Sequence, residues 1–328
     1  MWTLVPIVVG AALYGFLNGY KDAVGITATV VSSRAMRPRE ALFLIGVAEF
    51  CGPFLFGTAV ASKLGRGLVL ETSVTPVVLI AALGSAIVWN LCMTWLGLPA
   101  SSTHALVGAL LGAAYASSGI GALFFSGVLK LVIVLLLSPL VAFLVSYVLL
   151  KLVLFLSRNA TPRVNLLFKT MQIILAFALG LSHGSNDAQK SIGIIVMGLI
   201  ATGYSTTFEV PLSAVFIASG ALALGAILGG ERVMRTVGWE IFRIRPMHGF
   251  AAQLASNIVV LGATVAGYPL STTQVVCGTV MGVGSSDRLS RVRWNTVGRI
   301  ALAWLVTLPA AALLAGLLWR LLSLVIVI

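Results

Sequence analysis

Two aspartates stand inside apolar sequence. Asp22 lies within the run 4–32 and Asp187 within 168–202. An ionised carboxylate at the centre of a bilayer costs at least about 2.5–3.5 kcal/mol on insertion scales, so such residues are kept for a cation, a proton or a salt-bridge partner. Asp22 and Asp187 are therefore candidate cation-coupling residues. The plain alternative is an ion pair that packs helices. Lys190, three residues after Asp187, can make one; Lys21 is the chain neighbour of Asp22 and should point elsewhere on a helix.

Two hydroxyl-rich stretches follow prolines: Pro99-Ala100-Ser101-Ser102-Thr103-His104 and Pro269-Leu270-Ser271-Thr272-Thr273-Gln274. Hydroxyls at a helix start are ordinary N-caps. Inside a membrane, free backbone N–H groups with three hydroxyls also form an anion site, helped by about half a positive charge from the helix dipole. Two such half-helix tips facing one another would surround a tetrahedral oxyanion. Other residues carry weaker signals. Glu49 is a cation or proton residue or a hydrogen-bonded packing residue, and His183 a proton carrier or a tautomer-fixed support. His104 has Gln274 at the matching place of the second stretch, so obligatory titration is not supported. His248 reads as interfacial. Cys51, Cys92 and Cys277 are scattered singly and form neither a metal motif nor a disulfide framework.

The elements that must position these groups follow from composition. Of 328 residues, 59% are hydrophobic and 9% charged, against about 25% charged in soluble domains. Thirty charges cannot cover a water-soluble surface of this size. Soluble enzymes, secreted disulfide scaffolds and nucleic-acid modules are excluded; the chain's partner is a lipid bilayer. At about 20 residues per span, an all-α polytopic fold of about ten or more spans is expected. The apolar runs lie at 4–32, 41–60, 74–97, 99–118, 122–157, 168–202, 211–229, 248–267, 269–284 and 298–326. The runs 4–32 and 168–202 exceed one straight span and carry Gly and Asp near their middles, so both are expected as broken helices, tolerated only where they line a site. The segment 99–118 either crosses or re-enters, with 122–157 then split near Ser138-Pro139. The first run lacks the basic stretch of a signal peptide and is expected as a retained helix.

An internal repeat sets the plan. Asn18-Gly19-Tyr20-Lys21-Asp22-Ala23 aligns with His183-Gly184-Ser185-Asn186-Asp187-Ala188, 165 residues on. The two hydroxyl stretches align 170 residues apart, and the match continues through Gly108 with Gly278 and Gly112 with Gly282. Basic residues cluster at Arg34–Arg39, Arg158–Lys169, Arg232–Arg245 and Arg288–Arg299. Placing these in the cytoplasm leaves both termini outside and gives each half an odd number of crossings. The halves are then antiparallel, as in inverted-repeat transporters with a midplane site. The expected organisation is a first repeat over 1–157, a short cytoplasmic linker at 158–167 and a second repeat over 168–328. The net charge of +12 is mostly this topology signal, with a polyanion-binding face as the alternative.

The stretch Gly184-Ser185-Asn186-Asp187-Ala188-Gln189-Lys190-Ser191-Ile192-Gly193, with Asn18-Gly19-x-x-Asp22, resembles the signatures of the inorganic phosphate transporter family (Pit type, the low-affinity bacterial permeases). The Ser-Ser-Thr-His and Ser-Thr-Thr tips, Ser33-Arg34-Ala35-Met36 and Glu49-Phe50-Cys51-Gly52 are similar too. The resemblance covers nearly the whole chain, without the large central hydrophilic loop of longer members. It implies a non-enzymatic secondary transporter in the plasma (inner) membrane of a prokaryote. Its cargo would be inorganic phosphate, alone or as metal-phosphate, in symport with sodium or protons by alternating access and with no bound cofactor. By position, Ser101, Ser102, Thr103, Ser271, Thr272 and Thr273 fall to phosphate and Asn18, Asp22, Asn186 and Asp187 to cation coupling, with Asp22, Asn186 and Asp187 the direct ligands if the ion is sodium. The first copy departs from the family pattern. Lys21 stands where the family has Asn or His, and Gly25 where an Asn commonly follows. Lys21 then replaces a bound cation, meets phosphate directly, or packs away from the site; with Glu49 it is a candidate modulator. A sulfate or other oxyanion permease, a passive anion channel and an intramembrane phosphotransferase are the competing functions. The last lacks an Asp/Glu cluster or a nucleophile with its base. A homo-oligomer is left open.

Overall fold

In the computed structural model, residues 3–229 and 234–325 are described; Arg232 lies outside them. The described chain is helical, with one isolated bridge between Val69 and Leu123. The helices are α1 (Leu4–Ser32), α2 (Pro38–Phe56), α3 (Ala59–Gly67), α4 (Pro76–Trp95), α5 (Ser102–Ser118) and α6 (Phe125–Leu156). They continue as α7 (Val164–Ala201), α8 (Leu212–Ile227), α9 (Pro246–Val265), α10 (Thr272–Asp287) and α11 (Trp294–Val325). A π-helical turn, Thr236–Glu240, precedes α9. Among the described residues six helices are long and apolar enough to cross a membrane: α1, α4, α6, α7, α9 and α11. The pair α2 and α3, bent by 77°, makes a seventh if it is one span.

The expectation of broken helices at Asp22 and Asp187 is overturned. Both α1 and α7 run continuously through their aspartates. The glycines beside them serve packing instead of breakage: a Cβ at Gly19 would strike the Leu222 carbonyl of α8, and one at Gly184 the Glu49 backbone of α2. Small residues let helix backbones approach this closely in a bilayer. The aspartates take their hydrogen bonds from side chains, on other helices and, for Asp187, on α7 itself, so the helical ladder need not open to solvate them.

The chain does turn back sharply, but between helices. Leu70 N donates to Ala122 O at 2.9 Å and Phe124 N to Leu68 O at 3.0 Å, so the start of α4 and the end of α5 share one end of the molecule. The segment 99–118 therefore returns toward the end from which α4 came, and α6 passes unbroken through Pro139. The two hairpin turns contain Gly97 (φ 67°) and Gly267 (φ 72°), in the left-handed region that favours glycine. The first turn is pinned by Thr236 Oγ1 donating to Gly97 O (3.0 Å) and Trp304 Nε1 to Pro99 O (2.8 Å). Lys63 Nζ pins the second, donating to Ala266 O at 2.6 Å while lying over the Tyr268 ring.

Helices from the first 157 residues pack chiefly on helices from the remainder. The bent pair's α2 lies along α7 and α8 along α1; α5 lies along α11 and α10 along α6. At the α5–α11 contact, Gly108 and Gly112 face backbone carbonyls of Leu308 and Ala312. At the α10–α6 contact, Gly278 and Gly282 face those of Pro139 and Phe143. Arg34, Arg235, Arg243, Arg245 and Arg293 line one open cleft of about 760 Å³. The loops after α1, before α9 and before α11 thus meet at a single, arginine-rich end.

Candidate functional site

Each hydroxyl stretch opens a helix. Ser101 Oγ accepts from His104 N at 3.0 Å and Ser271 Oγ from Gln274 N at 3.4 Å, so these two hydroxyls are N-caps of α5 and α10. Capping turns the next two residues of each tip inward. Ser102 Oγ donates to Asp22 Oδ2 at 3.0 Å, and Thr272 Oγ1 to Asp187 Oδ1 at 3.4 Å. Thr273 crosses to the other half and donates to Asp22 Oδ1 at 2.6 Å. Its repeat mate Thr103 donates to Leu270 O at 2.8 Å and accepts from Lys190 Nζ at 2.7 Å. The two tips therefore meet at the two aspartates, past the midpoints of α1 and α7. None of Asp22, Asp187, Lys21, Lys190 or the tip hydroxyl residues is more than 3% exposed.

The charges are paired. Lys190 Nζ lies 2.6 Å from Asp187 Oδ1, and Asn18 Nδ2 donates to Asp187 Oδ2 at 2.9 Å. Lys21 is not turned away from its neighbour as helical geometry suggested. Its long side chain curls so that Nζ lies 3.5 Å from Asp22 Oδ1, donating to Ala100 O (2.6 Å) and Asn90 Oδ1 (3.1 Å). Asn186, its repeat mate, is likewise spent on a hairpin. Its Nδ2 donates to Thr264 Oγ1 and Tyr268 O, both at 3.1 Å, and its Oδ1 accepts from Leu270 N at 3.3 Å.

Behind Asp187 a buried chain leads to α2. His183 Nδ1 lies 2.7 Å from Glu49 Oε1, and Nε2 lies 3.2 Å from Asp187 Oδ2. Glu49 thus reaches the site through His183 and does not touch either tip. Ligand atoms of Asp22, His183 and Asp187 all fall within 4.8 Å of one another, close enough to hold one cation. Tyr14 OH donates to Ser102 O at 3.0 Å and steadies the first tip.

The structure brings together Asn18, Lys21, Asp22, Asp187, Ser102, Thr103, Thr272 and Thr273. It sets the hydroxyls of Ser101 and Ser271 on caps and the amide of Asn186 on the second hairpin. Sequence reasoning missed Asn90 and the two carbonyls Ala100 O and Leu270 O. Asn90 carried a signal, as a lone amide within the run 74–97; backbone carbonyls carry none.

Residues 18–315 match the phosphate transporter family. A probable low-affinity inorganic phosphate transporter of Rhizobium meliloti is 40% identical, over 96% of this chain and 95% of its own length. One of Bacillus subtilis is 37% identical over 98% and 97%. A solved structure, described as the sodium-dependent phosphate transporter, superposes with a TM-score of 0.91 at 25% identity. It covers 99% of this chain and 100% of that one.

Proposed function

The chain belongs to the phosphate transporter family, an integral membrane transporter and not an enzyme, and on that premise we propose that it carries inorganic phosphate in symport with a cation by alternating access. The observation that carries this reading is the convergence of two hairpin tips on Asp22 and Asp187: the hydroxyls of Ser102, Thr272 and Thr273 donate to the carboxylates, and that of Thr103 meets Lys190, the partner of Asp187. An arriving phosphate would take those hydroxyls as donors, together with the positive ends of two helix dipoles. The carboxylates would lose their donors at that moment and demand a cation, which ties the two cargoes together. Phosphate keeps a proton near neutral pH that it can donate to Asp22 or Asp187; sulfate has none to give and would meet the carboxylates unpartnered. That difference favours phosphate over sulfate, and buried carboxylates in both halves favour coupled transport over a passive channel.

The same reading takes 1–157 and 168–328 as inverted repeats of five membrane segments each, joined by 158–167. Support comes from the two matched offsets and from the exchange of packing partners between halves. The arginine-rich end would face the cytoplasm of a prokaryote and both termini the outside. Labelled phosphate and sulfate should be offered to proteoliposomes with sodium, proton or no gradient. Phosphate should accumulate under a cation gradient while sulfate neither accumulates nor competes; equal handling of sulfate would overturn the anion assignment.

A further inference from the structure

In each half an aspartate on the long helix faces the backbone carbonyl just before the hairpin tip. Asp22 faces Ala100 O and Asp187 faces Leu270 O, and these are repeat mates. Between each carboxylate and carbonyl lies one ammonium group. Lys21 Nζ is 2.6 Å from Ala100 O, 3.1 Å from Asn90 Oδ1 and 3.5 Å from Asp22 Oδ1. Lys190 Nζ is 2.6 Å from Asp187 Oδ1, 2.7 Å from Thr103 Oγ1 and 2.9 Å from Leu270 O. Each nitrogen thus has a carboxylate, a backbone carbonyl and a neutral side-chain oxygen, the hard oxygen set that suits a small desolvated cation.

The two lysines do not correspond in sequence. Lys21 precedes its aspartate by one residue and Lys190 follows its own by three; their repeat mates are Asn186 and Gly25. Two different helix positions therefore deliver the same charge to the same place in each half. Both side chains are fully buried, and a buried charge is retained only against strong compensation. Inheritance from a duplicated lysine cannot explain the coincidence, because no lysine is duplicated. A requirement for a positive charge at both places can.

We propose that Lys21 and Lys190 set tethered ammonium groups where a coupling cation would bridge carboxylate and hairpin carbonyl in each half, so that phosphate transport by this chain needs no sodium. The proposal rests on the phosphate-transport reading above. A tethered ammonium holds carboxylate and hairpin together as a bound ion would, but it cannot leave with the cargo. A sodium gradient therefore does no work at either place, and the ion that drives uptake is another one.

The test uses the whole protein in proteoliposomes. Phosphate flux is measured with sodium replaced by N-methylglucamine on both sides, then with an inward sodium gradient at constant pH. The two conditions should agree. A loss of about tenfold without sodium, the size of one missing charged hydrogen bond, would overturn the proposal alone. Absence of phosphate flux under every gradient would remove the transport reading and the proposal with it. Lys21→Asn, which installs the residue found at the repeat mate, should make flux sodium-dependent and let sodium raise the thermal midpoint. Lys21→Asn/Gly25→Lys should return sodium independence, because it moves the ammonium to the place equivalent to Lys190, and a Cβ at Gly25 meets nothing within 4 Å. A packing role for Lys21 would impair both variants whatever the sodium concentration, and that result also overturns the proposal. If Lys21→Asn fails to fold, the wild-type comparison still decides.

Discussion

Where α1 ends and α7 and α9 begin, the helices are joined by amides and hydroxyls. Ser33 Oγ donates to Gln172 Oε1 at 2.7 Å, and Gln253 Nε2 donates to Thr29 Oγ1 at 3.0 Å. Ser256 and Thr279 share a hydrogen bond one turn deeper. At the opposite end, where α1 begins, the repeat mates of these residues are Gly198 for Ser33, Ile7 for Gln172, Leu83 for Gln253, Ile194 for Thr29, and Ala86 and Ala109. Ile7, Leu83, Ala86, Ala109 and Ile194 belong to one buried apolar cluster. Ile7 reaches toward Gly198 as Gln172 reaches toward Ser33. The two seams share their geometry and differ in chemistry.

That difference has a direction. Water entering the polar seam exchanges one set of hydrogen bonds for another, at a net of about 0.5–1.5 kcal/mol each. Wetting the aliphatic seam costs about 1.5–3 kcal/mol per large side chain, with nothing to offset it. Gln253 Oε1 is buried without a partner, which weakens the closed polar seam further. If access alternates across these seams as proposed, the polar seam is the one expected to open more readily, toward the arginine-lined cleft. The site lies between the two seams, so substitutions there and in the seams test the comparison separately.

The largest effect is expected at the site. Asp187 binds Lys190, Asn18 and Thr272 and lies beside His183, so Asp187→Asn strands a buried ammonium, a loss of about 3–5 kcal/mol. Gradient-driven phosphate uptake should disappear. Asp22→Asn should retain a measurable rate, because Lys21 stands 3.5 Å from Asp22 and donates to Ala100 O and Asn90 instead, whereas Lys190 donates directly to Asp187 at 2.6 Å. Equal losses in the two variants would mean that the halves carry the same load.

Next comes the dry seam. Ile7→Gln with Leu83→Gln gives it the residues of the polar one. Two buried amides with unmet hydrogen bonds cost about 1–3 kcal/mol each, so that end should open on the order of a hundredfold more often. A cysteine placed near Ile194 should then react with a membrane-impermeant thiol reagent from the α1 N-terminal side. Unchanged reactivity would show that this seam is not a gate.

A smaller loss is expected at the tips. Ser102→Ala and Thr272→Ala each remove one hydroxyl from the anion's donors, worth about 1.5–3 kcal/mol for a charged acceptor, or roughly tenfold or more in phosphate affinity per site. Equilibrium binding of labelled phosphate to the purified double variant measures it. Full affinity would take the tips out of the mechanism.

Much of this was legible in the sequence because it rests on local signals. Pro99 and Pro269 with the hydroxyls behind them mark the starts of α5 and α10. The reading failed where tertiary contacts override local ones. Gly19 and Gly184 looked like helix breakers and are contact points for α8 and α2, which only the neighbouring helix reveals. Lys21 was set apart from Asp22 on backbone geometry, yet four flexible methylenes let its ammonium return to the carboxylate. Glu49 reads in sequence as a cation or proton residue or a hydrogen-bonded packing residue; its link to Asp187 runs through His183 on another helix, and no spacing along the chain encodes that.

The smallest effect sharpens the seam comparison most, because it can take either sign. Gln253→Leu installs the residue found at Leu83. It removes the hydrogen bond to Thr29 Oγ1, a loss of about 0.5–1.5 kcal/mol. It also removes the unpartnered Oε1, a relief of about 1–3 kcal/mol, and adds apolar contact in a site that is 1% exposed. Thr29 keeps its bond to the Ile26 carbonyl, so no new unmet donor is left behind. The closed seam should gain about 1 kcal/mol, which is roughly fivefold in the closed-to-open ratio. The purified variant should melt at a higher temperature and transport phosphate several-fold more slowly. The reverse pair of results, a lower midpoint with faster transport, would mean that the Gln253–Thr29 bond holds the seam shut and that polarity there is a latch, not a weakness.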